Sequence, residues 1–102
     1  EMADASVFVM EQVDFKDTYR QGDKDIRNCH INIGTGKEIT IRALAELIVN
    51  TVGYQGKLTF DSTKPDGTMR KLTDPSKLHS LGWHHKVEIE EGVQRMYAWY
   101  LK

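Results

Sequence analysis

The chain has 102 residues, a formal net charge of -1, 39% hydrophobic residues and 28% charged residues. That length leaves room for one domain and excludes a second independent one, the composition excludes a disordered chain, and the balanced charge gives no support to non-specific nucleic-acid binding. Cys29 is the only cysteine, so no intrachain disulfide is possible; no run approaches the roughly 20 apolar residues of a membrane span and no leader pattern opens the chain, so a cytoplasmic protein with neither membrane nor nucleic-acid partners is expected.

The chain enters helical rhythm at its first residues, Glu1-Met2-Ala3-Asp4, with no initiator Met, and reads as a segment of a longer protein. Val7, Met10 and Val13, with Ala3 a turn before, predict an amphipathic helix over 2 to about 13 with one buried stripe. The charged stretch Asp14 to Asn28 predicts an exposed loop with a little local helix. Cys29-His30-Ile31-Asn32-Ile33 alternates up to Gly34-Thr35-Gly36 and predicts a short strand ending in a tight turn. A helix follows: Thr40 is its N-cap, Ile41, Leu44, Ala45, Ile48 and Val52 share a face that Leu47 widens, and Gly53 closes it.

Lys57-Leu58-Thr59-Phe60-Asp61 predicts a second short strand, giving a βαβ-like order. A polar loop from Ser62 to Thr73 leads to a helix at about 75 to 81, with Asp74 placed to cap it and Gly82 to end it. The last helix, about 88 to 101, carries Glu88, Glu90 and Glu91 where the helix dipole favours negative charge. Val93, Met96, Tyr97 and Tyr100 form its apolar face. The expected architecture is a single α/β domain over 1–102, with two short strands and about four helices.

Chemistry concentrates between Lys64 and Lys71. Lys64, Arg70 and Lys71 lie within eight residues of one another, with Thr68 and a turn-forming Pro65-Asp66-Gly67 between them. Proline and glycine define the backbone path, Asp66 and Asp74 are positioned to orient Arg70 or Lys71 by pairing, and the whole suits a diphosphate held by charge and backbone N–H groups. Elsewhere the signals are weaker. His79, His84 and His85 cluster without the spacing of a zinc site, so no metal is expected. Cys29 reads as a small buried apolar residue rather than a nucleophile. Gly34-Thr35-Gly36-Lys37 fails the spacing of a Walker loop and lacks the third glycine of a dinucleotide fingerprint; it reads as a tight turn, with a place in a pocket wall left open. Trp83 either stacks on a base or packs the last two helices together with Leu78 and Leu81.

Asp74-x-Ser76-Lys77-Leu78-x-x-Leu81-Gly82-Trp83, then Glu90-x-Gly92-Val93 and Tyr97-x-Trp99-Tyr100, is similar to the C-terminal end of extended short-chain dehydrogenase/reductases acting on nucleotide sugars. His30-Ile31-Asn32-Ile33-Gly34-Thr35-Gly36 with Thr40-Ile41-Arg42-x-Leu44-Ala45 resembles the same family's strand and helix. Asp61-x-x-Lys64-Pro65-Asp66-Gly67-Thr68-x-Arg70-Lys71-Leu72-x-Asp74 resembles its GDP-4-keto-6-deoxymannose epimerase-reductases. Trp83-His84-His85 departs from the wider family's Trp-x-Pro in the direction of that narrower branch. The resemblance runs from Met2 to Trp99, with residues 14 to 28 poorly matched.

The resemblance implies a two-lobed, homodimeric parent enzyme. Its N-terminal lobe would bind NADP(H) and carry the catalytic Ser, Tyr, Lys, Cys and His, none of which matches a position here. The chain would be the C-terminal lobe that binds the GDP-sugar substrate, non-catalytic and cofactor-free by itself. Lys71 matches a family lysine near the GDP diphosphate, with Arg70, Lys64 and Asp66 in the same substrate-binding loop. Such a severed lobe is expected to expose an apolar patch along its first helix. The alternatives are the substrate lobe of another nucleotide-sugar epimerase or dehydratase, sharing UDP or dTDP substrates, and a stand-alone binding module with a clean surface.

Overall fold

Capping and periodicity decide where this chain is regular. The computed structural model describes residues 1–102 and contains four α-helices, α1 (Met2–Gln12), α2 (Ile41–Val52), α3 (Ser76–Ser80) and α4 (Ile89–Tyr100), with one 3-10 turn at Phe15–Asp17. The turn is the local helix expected in the polar stretch; the Asp14 and Asp17 carboxylates close it as a reciprocal capping box. No helix is long and apolar enough to cross a membrane.

The two expected strands, at 29–33 and 57–61, are absent, and the chain is helical rather than α/β. A strand exists only through N–H···O=C bonds to a neighbouring strand, and neither run finds one within these residues. Ile31 and Ile33 of the first run do pack on the core, although Asn32 between them is half-buried too and Cys29 at its head is exposed rather than buried. In the second run Leu58 and Phe60 stay exposed.

The chain divides into two compact units, Glu1–Lys37 with Leu72–Lys86, and Glu38–Lys71 with Val87–Lys102. In the first, Ala5, Leu78 and Trp83 form the buried core, with Phe8, Val9, Ile31 and Ile33 packed around it. The core face of α1 is therefore Ala5, Phe8 and Val9, at i, i+3 and i+4, and not the expected Val7–Met10–Val13 stripe: Met10 is 85% exposed. Ala5, with no side chain beyond Cβ, is fully buried in the cluster with Leu78 and Trp83. Trp83 packs here between α1 and α3, not between the last two helices, and its indole Nε1 donates to Asp4 Oδ2 at 2.9 Å, which satisfies its one polar atom.

Lys77 fastens the polar loop to this core. Its Nζ donates to the carbonyls of Thr18 and His30, both at 2.9 Å, and to that of Asn28, so all three ammonium protons are used. Pro75, and not the expected Asp74, is the N-cap of α3; Asp74 stands one residue earlier, its Oδ1 accepting from the Ser76 N–H at 2.9 Å.

In the second unit α2 and α4 pack on each other. Thr40 caps α2 through its Oγ1, which accepts from the Ala43 N–H at 3.1 Å, and Gly53 ends it in the left-handed conformation at φ 70°. Leu44, Ala45 and Leu47 of α2 and Val93 and Tyr97 of α4 are half-buried. Ile41, Ile48 and Val52, from the expected α2 stripe, and Met96 and Tyr100, from the α4 face, stay exposed. Glu90 and Glu91 occupy the first turn of α4, as its dipole favours.

Candidate functional site

The segment from Lys57 to Lys71 has no helix or strand, so side chains rather than a backbone ladder define its path. It opens on an Asx turn: Asp61 Oδ1 accepts from the Thr63 hydroxyl at 2.6 Å and the Thr63 N–H at 3.0 Å. Those hydrogen bonds hold the Asp61 carboxyl below its ordinary range. Lys64, Asp66, Arg70 and Lys71 are all exposed.

Arg70 is the member with a defined partner. Its Nε donates to Glu38 Oε2 at 3.1 Å and its Nη2 to Glu38 Oε1 at 2.6 Å, a two-pronged pair in which the flat guanidinium meets the flat carboxylate. The hydrogen bonds, then the charge, of Glu38 push the Arg70 guanidinium further toward its protonated form. The expected pairing of Arg70 with Asp66 or Asp74 is thus replaced by one with Glu38, and Asp74 spends its carboxylate on Ser76. Sequence reasoning missed Glu38 because it lies 32 residues from Arg70. The only local signal is an acid just ahead of the Thr40 cap, where a helix start favours negative charge.

A second contact anchors the other end of the same loop: the Arg42 guanidinium lies 4.4 Å from the centre of the Phe60 ring. Residues 61–69 are therefore held at both ends by residues flanking Thr40. The arrangement gathers Lys64, Arg70 and Lys71 on one exposed segment.

The other candidates do not assemble a site. No group of three or more His, Cys, Asp and Glu side chains is placed to hold a metal ion. His79 and His84 stack on each other with ring centres 4.4 Å apart, in the α1–α3 unit. The Gly34-Thr35-Gly36 turn does not fit a dinucleotide pyrophosphate. A Cβ on Gly34 would lie 2.7 Å from Thr73 Oγ1 and one on Gly36 3.4 Å from Pro75 Cγ, so the glycines make room for the chain at 73–75 instead of a ligand.

No family model matches the chain. It is 48% identical over all 102 residues to GDP-L-fucose synthase 1 of Arabidopsis thaliana, of which it spans 28%. To the GDP-L-fucose synthase of Escherichia coli K12 it is 44% identical, again over its whole length, spanning 31% of that protein. Among solved structures, a GDP-6-OMe-4-keto-L-xylo-heptose reductase from C. jejuni superposes with a TM-score of 0.89 at 44% identity, over 98% of this chain and 28% of the other. The Campylobacter jejuni GDP-mannoheptose C4 reductase MlghC, solved with NADP bound, gives 0.82 at 42% identity, over 99% of this chain and 29% of that one. The chain thus spans little more than a quarter of the relatives it matches. It corresponds to the C-terminal part of GDP-L-fucose synthases and related GDP-sugar reductases, and it belongs to the extended short-chain dehydrogenase/reductase family.

Proposed function

We propose that this chain is the GDP-sugar-binding C-terminal part of a GDP-L-fucose synthase. The parent protein converts GDP-4-keto-6-deoxy-D-mannose to GDP-L-fucose by epimerisation at carbons 3 and 5 and NADPH-dependent reduction at carbon 4. The observation that carries this reading is the 48% identity to a GDP-L-fucose synthase over the whole chain. Within the chain, Lys71 and Lys64 place exposed ammonium groups against the diphosphate, Arg70 shapes the loop beside them, and Asp66 lies in its turn. Anion affinity then comes from charge-assisted hydrogen bonds made in a loop fixed at both ends.

NADP(H) is held by the remainder of the parent, since no residue pattern here fits it, and the chain itself supplies no catalytic group. Met2, Val7 and Met10 on α1 are exposed at 72%, 53% and 85%, which favours a lobe that packs on more protein over a self-sufficient binding module. The parent is a cytoplasmic homodimer on this reading. A second reading, a GDP-heptose reductase without epimerisation, is favoured by the TM-score of 0.89 to such a reductase.

The test is turnover by the longest protein that contains this chain, supplied with GDP-4-keto-6-deoxymannose and NADPH. GDP-L-fucose formation is expected, with Lys71→Gln raising KM more than it lowers kcat. Oxidation of NADPH without epimerisation would move the assignment to the reductase reading, and no consumption of NADPH would overturn both.

A further inference from the structure

Glu38 lies outside the loop that carries the cations, yet it makes the only two-pronged ion pair to that loop, at 3.1 and 2.6 Å from Arg70. From this geometry we infer that Glu38 is a positioning residue for diphosphate binding: by fixing Arg70 it sets where the neighbouring Lys71 presents its ammonium group. The inference rests on the GDP-binding reading above and adds to it a residue 32 positions away in sequence.

Three observations support a positioning role over an incidental surface pair. The first is that both carboxylate oxygens and two guanidinium nitrogens are engaged, which defines the plane of Arg70 as well as its distance. The second is its place in the chain: Glu38 is the first residue and Arg70 the last but one of the segment Glu38–Lys71 of its compact unit, so the pair joins the two ends of that segment. The third is the matching anchor of Arg42 over Phe60 at 4.4 Å. With one anchor on either side of Thr40, residues 61–69 form a loop whose ends are held while its tip stays exposed.

The clasp also divides the work among the cations. The prongs of Arg70 toward Glu38 are committed, and its charge is largely compensated by the carboxylate. Lys71 and Lys64 are the groups left to meet the diphosphate, and Arg70 acts through them. A carboxylate this close to a phosphate site would ordinarily repel the ligand. Removing Glu38 therefore has opposite effects under the two accounts: it strengthens binding if the carboxylate is merely a nearby negative charge, and weakens it if the carboxylate positions the loop.

The experiment is a calorimetric titration with GDP of the longest protein that contains this chain, as wild type, Glu38→Gln, Glu38→Asp, Arg70→Gln, the Glu38→Gln/Arg70→Gln double variant and Lys71→Gln, at fixed ionic strength. Glu38→Gln and Arg70→Gln are each expected to weaken GDP binding about three- to fivefold, as an exposed but well-formed pair allows. The double variant should bind no more weakly than either single one, and Glu38→Asp should recover part of the loss. Losses that add in the double variant, or tighter or unchanged binding in Glu38→Gln with a normal loss in Lys71→Gln, would overturn the positioning role. Absence of GDP binding by wild type, or indifference to Lys71→Gln, would instead overturn the site reading on which it rests.

Discussion

Single side chains carry much of what this chain's order depends on. Lys77 gives all three of its ammonium protons to carbonyls of the polar loop, at residues 18, 28 and 30. Lys77→Met keeps the aliphatic stem and removes the donors, so it should destabilise the chain by about 1–3 kcal/mol in thermal or urea unfolding; an unchanged midpoint would show that water replaces the ammonium at no cost. Asp74 makes a pH-dependent contribution of definite sign. Hydrogen bonds from Ser76 hold its carboxyl below the ordinary 3.8. A depressed folded value stabilises the fold above the unfolded value, and the contribution is lost as pH falls through the folded value. Asp74→Ala should thus be less stable than wild type at neutral pH, the gap closing from about pH 4 downward; a gap that stays constant to acid pH would contradict it. The start of α3 near Pro75 was legible, although Pro75 itself and not Asp74 is its N-cap. Lys77 and Glu38 were not, because their partners lie 47 or more residues away for Lys77 and 32 for Glu38, and a local pattern holds no information about which distant backbone will arrive.

At the level of elements, the helices were readable and the strands were not, for a reason in the hydrogen bonding. A helix satisfies its N–H and C=O groups within itself, so Thr40, the apolar spacing and Gly53 together define α2 from its own residues. A strand needs a partner, and the period-2 pattern at Ile31 and Ile33 is produced equally by an unpaired segment pressed on a core. The face of α1 was misread for a related reason: Val7 and Met10 are the more hydrophobic choices, but Ala5 is the residue small enough for Leu78 and Trp83 to approach. The cap of α2 is directly testable. Thr40→Ala removes the acceptor of the Ala43 N–H and should cost about 1 kcal/mol, with Thr40→Ser retaining most of it. Equal losses in the two variants would assign the effect to packing of the threonine methyl.

Over the whole chain, the exposed apolar side chains and the exposed cationic loop are features that each unit leaves unfilled by itself. In the second unit Ile41, Trp99 and Tyr100 are 76%, 71% and 77% exposed, much more than a self-contained domain of this composition usually leaves. The family was legible from the motifs around Lys71 and Trp83, the second of which lies in the core. The pairing within the loop was not legible, since spacing marks which residues are cationic and not which of them meets a distant carboxylate. The central claim is that the loop holds a diphosphate through Lys71. It is tested most directly by comparing the affinities of the longest protein that contains this chain for GDP and for guanosine, in wild type and in Lys71→Gln, since the difference between the two ligands isolates the phosphates. GDP should bind about tenfold or more tightly than guanosine to wild type, as one charge-assisted hydrogen bond allows, with most of that advantage gone in Lys71→Gln. Equal binding of GDP and guanosine, or an advantage for GDP that survives the loss of Lys71, would contradict the account.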